Sequence, residues 1–326
     1  MSMAKRLVTS LKITNFRGIK EGTVRLGRVT ILVGPNGSGK TTILEALLLL
    51  NGTEYVFDNL TPFHIIDKLH TILGSPGRGG LIYSYGAEVN EASLSYEFDD
   101  GTSINVSLKL KGNNVIFSIP PQKDLAVLNR FGVETYINCR RGVVKALLIR
   151  EILLQEIYHA IYDNWINIVN MRITREAARY IAEMADIEAL DITAEPFGTS
   201  SNALFLYLED GSRIRLSDLG DGMQMLVASY ILIRFLSPQL ILWDDVESHM
   251  NPRALMLLAD LLSNLAKEGK QIVLTTHSLE ALRTIAGIID EAKIVKLQLE
   301  NGTLKTQELN IDQVEKLKDL GMDVRI

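Results

Sequence analysis

The run Gly34-Pro35-Asn36-Gly37-Ser38-Gly39-Lys40-Thr41 fits the Walker A pattern G-x-x-x-x-G-K-[ST]. Its glycines let successive backbone N–H groups turn inward around a phosphate, where a Cβ would obstruct them. Lys40 is placed to reach the outer phosphates of a nucleotide, and the Thr41 hydroxyl to bind Mg²⁺. A second set of groups follows the apolar run Leu240-Ile241-Leu242-Trp243, which ends at Asp244-Asp245. Two carboxylates at the end of a buried strand suit a Walker B site. Asp244 would then hold a Mg²⁺-bound water and Asp245 would face the attacking water. Helix capping is the alternative, since Asn251-Pro252 opens a helix shortly after. A third run, Gln271 to Thr276, ends at His277-Ser278. There His277 suits a polar sensor of the γ-phosphate, and Ser278 doubles as a helix N-cap.

These groups must be carried by strands that share one edge. Val29 to Val33 is apolar apart from Thr30, as expected of a strand buried on both faces, and Thr42 to Leu50 reads as the helix after the glycine loop. Three hairpins are expected around Asp99-Asp100-Gly101, Asp210-Gly211 and Asn301-Gly302. Val143 to Leu190 reads as a helical block, with Ile149, Leu153, Ile157, Ile161 and Trp165 recurring every four residues and Leu148 and Ile152 widening the stripe. Gly74 to Gly80 reads as a mobile surface loop containing Arg78. Cys139 reads as a small, half-buried apolar residue, and Arg140-Arg141 beside it as a solvated turn or a phosphate or DNA contact.

Composition narrows the class. Of 326 residues, 47% are hydrophobic and 22% charged, which gives ample apolar material to fold. With Cys139 the one cysteine, a disulfide-stapled secreted module is excluded. The net charge of −5 carries no bulk basic signal, so any DNA-binding groove must be built from local Lys and Arg. No apolar stretch suits a signal peptide or a membrane span, so a cytoplasmic protein without membrane contact is expected. No Asn-Lys-x-Asp guanine-reading run is present.

A family resemblance emerges from the order of these pieces. Leu11-Lys12-Ile13-Thr14-Asn15-Phe16-Arg17-Gly18-Ile19, followed by the Walker A loop, resembles the opening of the RecF, SMC and OLD-type ATPases. These are ABC-class enzymes that work on DNA or in genome defence rather than in transport. Leu219-Gly220-Asp221-Gly222-Met223-Gln224 looks like the OLD version of the ABC signature. Asp244 to Pro252 resembles that family's D-E-P-E-x-H-L-H-P run, and Thr276-His277-Ser278 matches its switch histidine.

The resemblance implies an α/β fold: a P-loop NTPase of ABC-ATPase type, with a mixed parallel sheet, an antiparallel β subdomain and a helical insertion lobe. It divides the chain into a composite ATPase domain, residues 1–142 and 191–326, and a lobe over residues 143–190. It implies ATP and Mg²⁺ as cofactors. Nucleotide-binding residues would be Arg17, Asn36, Gly37, Ser38, Gly39, Lys40, Thr41 and Thr42. Thr41 and Asp244 would hold the metal, and Asp245, Glu247 and His277 would carry the chemistry.

It also implies a homodimer closed around ATP, with the free amides of Leu219 to Gly222 meeting the γ-phosphate of the facing subunit. Gly220 and Gly222 read otherwise as a simple helix-start turn, and Arg17 as an exposed strand end. The signature serine of the wider class aligns with Gly220, and Ser217 is a substitute three residues earlier. Asp245 stands where the family has its catalytic glutamate, shorter by one methylene, so slow hydrolysis is expected with Glu247 as an alternative base. A non-hydrolysing, ATP-gated dimerisation module is the competing reading. Fewer than about fifty residues follow His277, too few for a further domain of ordinary size, so a nuclease or effector is expected as a separate protein. The usual glutamine of the site has no clear place, since Gln122 and Gln155 both lie in the wrong context.

Overall fold

The computed structural model describes residues 6–71, 77–119, 125–130, 134–135, 142–185, 188–198 and 201–319. Strands β1 (Val8–Phe16) and β2 (Ile19–Arg25) form a hairpin, and β3 (Val29–Val33) leads through the glycine loop into helix α1 (Lys40–Leu48). Helix α2 (Pro62–His70) starts at a Thr61 cap with proline in its first turn, where a missing N–H costs nothing. An antiparallel meander follows: β4 (Glu91–Phe98), β5 (Ser103–Lys111), β6 (Asn114–Ser118), β7 (Ala126–Asn129) and β8 (Glu134–Thr135). Strand β9 (Ala146–Ile149) then precedes α3 (Leu154–Asp163), α4 (Trp165–Asn170) and α5 (Ile173–Ala185). Next come β10 (Ala189–Phe197), β11 (Ser201–Leu208) and β12 (Arg213–Arg215), which form a small sheet of their own. The chain continues through α6 (Asp221–Leu236), β13 (Leu240–Trp243), α7 (Pro252–Lys267), β14 (Gln271–Thr275) and α8 (Leu279–Ile288). It ends, within the described residues, on the hairpin β15 (Ala292–Glu300) and β16 (Thr303–Leu309) and on α9 (Ile311–Asp319).

The main sheet runs β8-β7-β6-β5-β4-β1-β2-β16-β15-β3-β14-β13-β9. Strands β15, β3, β14, β13 and β9 are mutually parallel, and β3, β14, β13 and β9 are buried along their whole length. That burial explains their unbroken apolar runs, because helices cover both faces of such a sheet. The other wing is antiparallel and alternates, as in the β4 sequence Glu-Ala-Ser-Leu-Ser-Tyr-Glu-Phe with every second residue buried. β2 joins the wings through a parallel pairing with β16. No helix among the described residues is long and apolar enough to cross a membrane.

The three expected hairpins are present, at β4–β5, β11–β12 and β15–β16. The expected helical block starts later than the spacing suggests. Ala146 to Ile149 is a strand paired with Leu240 to Trp243, and Ile152 is 49% exposed. A four-residue apolar run cannot be assigned to helix or strand by periodicity, and here its sheet neighbour decides. The stripe holds from Leu153 through Ile157 to Ile161, all fully buried. Arg78 is not on a solvated loop: it is buried and ion-paired with Asp67. The rest of that loop up to Pro76, and Gln122, Cys139, Arg140 and Arg141, lie outside the described residues.

Helices α3 and α5 pack on α6. Tyr180 of α5 stacks on Tyr230 of α6, with ring centroids 4.9 Å apart, and donates a 2.9 Å hydrogen bond to the Leu257 carbonyl of α7. Covered on both sides, α6 is buried without a break from Met225 to Ile233, which accounts for its apolar residues on every face.

Candidate active site

Because β3, β14, β13 and β9 are parallel, their carboxyl ends open on one edge of the sheet, where ligands of such folds bind. The loop after β3 brings Gly34 to Gly39 there and α1 starts at Lys40. Gly34 has φ +147° and its Cβ position lies 2.4 Å from the Leu297 carbonyl oxygen, so no other residue fits. Asn36 and Gly37 are exposed at the loop crest, Ser38 is buried with an unpartnered hydroxyl, and Thr41 and Thr42 are half-buried on the first turn of α1. Lys40 donates from Nζ to the carbonyls of Gly34 at 2.7 Å and Pro35 at 3.0 Å. Its burial pulls the ammonium pKa below the ordinary lysine value, against the raising effect of Asp245, Asp244 and Glu247.

The end of β13 supplies Asp244, which is almost fully buried. Thr41 Oγ1 donates to its Oδ2 at 3.0 Å and Thr275 Oγ1 to its Oδ1 at 2.7 Å. Burial raises this carboxyl above the usual range; Arg150 and the Thr275 hydrogen bond act against that, Asp245 adds to it, and the Thr41 hydrogen bond again lowers it. The Thr275 hydroxyl also accepts the Asp245 N–H at 2.8 Å, which holds Asp245 at φ +51°. Left-handed backbone in a residue other than glycine is uncommon and here turns the chain sharply at the strand end.

Asp245 Oδ1 stands 3.6 Å from His277 Nε2. Glu247 is engaged differently, with Oε1 accepting the His277 N–H at 2.6 Å and Oε2 buried without a hydrogen-bond partner. Ser278 caps α8 through the Ala281 N–H, and Asn251 caps α7 through the Ala254 N–H. Capping therefore falls to Ser278 and Asn251, and leaves Asp244 and Asp245 at the phosphate edge. A hydroxyl and a carboxylate oxygen in contact are hard ligands suited to Mg²⁺.

The structure brings Lys40, Thr41, Asp244, Asp245, Glu247 and His277 together. Gly220 and Gly222 stand apart from the glycine loop, at the start of α6. The Gly222 Cβ position lies 2.4 Å from the His249 carbonyl, so only glycine lets α6 approach the turn after Glu247. Gly220 has open space around it, and Ser217 is exposed. Arg17 is not an exposed strand end. Its side chain is 9% exposed, ion-pairs with Glu45 Oε2 at 2.7 Å and donates to the Gly77 carbonyl at 3.1 Å. Gln155 lines a cavity of about 570 Å³ between α3, β11 and the start of α6, away from the glycine loop.

Two polar residues of this region escape the sequence reading. Glu45 is fully buried in α1 and is held by Arg17 and His70. A lone carboxylate in Ile-Leu-Glu-Ala-Leu is the available signal. Arg150 follows β9, with NH1 at 3.0 Å from Asp244 Oδ2 and NH2 at 3.6 Å from Asp245 Oδ2. It ends an apolar run, as Asp244 does, but the spacing of that run reads as helix.

Parallel strands that deliver a phosphate loop, a buried aspartate and a histidine to one edge define an ABC-type ATPase fold. Residues 7–127 match the family described as an AAA ATPase domain. Residues 135–283 match that of an AAA domain, putative AbiEii toxin, type IV TA system. The OLD nuclease of Thermus scotoductus is 22% identical over 89% of this chain, which spans 64% of that protein's length. Among solved structures, an SMC head bound to the C-terminal winged-helix domain of ScpA gives a TM-score of 0.59 at 15% identity, covering 95% of this chain and 99% of the other. The SMC head domain of Thermotoga maritima gives 0.51 at 16% identity, covering 93% and 99%. The arrangement of the sheet is similar to that of SMC heads, and the sequence is similar to that of the OLD nuclease.

Proposed function

We propose that this chain binds Mg²⁺-ATP at residues 34–42, hydrolyses it slowly, and dimerises around it. The observation that carries the reading is the Thr41–Asp244 hydrogen bond, which joins residues 203 positions apart at the phosphate edge. Lys40, bonded to loop carbonyls, would exchange them for phosphate oxygens, and Thr41 and Asp244 would hold the metal. Bound Mg²⁺ would neutralise charge building on the transferred phosphoryl group. Asp245 would orient or deprotonate water, with His277 beside it. Glu247 fixes the His277 backbone and is a positioning residue.

Support for dimerisation comes from α6. No side chain caps its N-terminus, and neither packing nor backbone conformation of this chain requires glycine at position 220. The uncapped amides there suit an anion delivered from outside the subunit. The OLD nuclease likeness favours a role in DNA maintenance or phage defence, with DNA or another protein as the partner of the closed dimer.

The test combines nucleotide binding, turnover and light scattering with and without ATP and Mg²⁺. Binding lost in Lys40→Ala, measurable turnover, and doubling of mass with ATP are the expected results. Tight binding and dimerisation with no turnover would transfer the assignment to an ATP-gated scaffold. DNA is tested in the ATP-bound state, where affinity should fall steeply between low and physiological salt.

A further inference from the structure

We propose that Arg150 is this site's own sensor of the terminal phosphate: in the empty site it rests on Asp244 and Asp245, and it transfers to the γ-phosphate when a nucleoside triphosphate binds. The inference rests on the nucleotide-site reading above and adds a residue to it.

Four features of the geometry point this way. First, Arg150 closes the strand beside β13, so it emerges on the edge where the phosphate loop, Asp244 and His277 converge. Second, Thr41 Oγ1 donates to Asp244 Oδ2 and Arg150 NH1 ion-pairs with the same oxygen, each at 3.0 Å. The guanidinium thus sits in ion-pair contact with the carboxylate oxygen that also accepts from the Thr41 hydroxyl. Third, it is 31% exposed, whereas the Asp244 carboxylate under it is 1% exposed. The side chain is therefore anchored on a buried carboxylate while part of it remains exposed. Fourth, a guanidinium has five N–H donors, and the two carboxylates engage one closely and another at 3.6 Å.

Electrostatics supplies the reason for the transfer. Asp244, Asp245 and Glu247 gather three carboxylates at the place where the most highly charged part of the nucleotide would arrive. Without a nearby cation they would repel it. An arginine cannot ligate Mg²⁺, because it has no acceptor, but its planar fork matches two phosphate oxygens at once. With Asp244 holding the metal, Arg150 would be released from that carboxylate and free to bond the γ-phosphate. A Mg²⁺-bound diphosphate offers no terminal group at that position, so Arg150 gains no phosphate partner there and keeps only Asp245. The residue thereby makes triphosphate binding differ from diphosphate binding within one subunit.

The experiment measures affinity for Mg²⁺ with the β,γ-imido analogue of ATP and for Mg²⁺-ADP, by calorimetry on the full chain at concentrations that keep it monomeric. Wild type, Arg150→Gln, Arg150→Lys and Lys40→Ala are compared, with thermal unfolding showing that each is folded. Arg150→Gln is expected to lose at least about tenfold in triphosphate affinity while diphosphate affinity moves less than about twofold. Arg150→Lys, which keeps charge but not the fork, should fall between. Equal losses for both nucleotides would overturn the proposal in favour of a structural role. A gain in triphosphate affinity would overturn it in favour of a simple competitor for the carboxylates. Wild type binding neither nucleotide, or Lys40→Ala binding as well as wild type, would instead remove the nucleotide-site reading and this inference with it.

Discussion

At the scale of single residues, Asp244, Asp245 and Glu247 share the site but are engaged differently. Glu247 spends an oxygen on the His277 backbone, whereas Asp245 faces the imidazole and is about a third exposed. Asp245→Asn should therefore lower ATP turnover by at least about a hundredfold, with nucleotide affinity held within about threefold. Glu247→Gln, which keeps an acceptor for the His277 N–H, should cost about tenfold or less. Steady-state turnover of the two variants decides, and a fully active Asp245→Asn protein would move the base elsewhere. Much of this site was legible in the sequence. The glycine loop after β3, the carboxylates after β13 and the histidine after β14 each follow an apolar run, in an order that the sequence shows directly. Arg150 was not legible, because its meaning comes from a neighbour strand almost a hundred residues away. Nor was the division of labour between Asp245 and Glu247, which depends on one backbone hydrogen bond.

At the scale of elements, α1 and α6 carry separate constraints. Tyr96 of β4 is fully buried and donates to the Ala46 carbonyl in α1 at 2.6 Å, tying the antiparallel wing to the phosphate-loop helix. Tyr96→Phe should cost about 1–2 kcal/mol in urea unfolding. Burial holds this hydroxyl well above its ordinary value of 10.0, so the folded chain keeps a proton that the unfolded chain releases. Its contribution is complete below pH 10 and is lost as pH rises above it, so stability should fall less steeply on the alkaline side in Tyr96→Phe.

At α6, Gly222→Ala forces the helix and the His249 turn apart and should cost about 1–3 kcal/mol, along with turnover. Gly220→Ala meets nothing in its own chain and should leave the melting temperature unchanged while weakening ATP-dependent dimerisation, read by light scattering. The alternating strands and hairpin turns could be read from the sequence because each is a local pattern. β9 could not, since four apolar residues fit either element until Leu240 to Trp243 lie beside them.

At the scale of the whole molecule, distant segments are tied by polar groups inside the sheet. Gln271, buried in β14, accepts the Val8 N–H at 2.9 Å and donates to the carbonyls of Val8 at 2.7 Å and Gly27 at 2.9 Å. Replacing it with methionine keeps the bulk and strips three backbone groups of a partner, the two of Val8 buried and that of Gly27 part-buried. Loss of about 3 kcal/mol or more is expected by chemical denaturation. The sheet order has a further consequence for synthesis on the ribosome. β3, which carries the phosphate loop, leaves the exit tunnel early, but both of its pairing neighbours, β14 and β15, are translated hundreds of residues later. Until then its apolar strand has no sheet to join, and long-range closure of this kind is slow. Nascent chains should thus need holding by chaperones over most of their translation. ATP capture becomes a property that appears abruptly, once the region up to β15 has emerged.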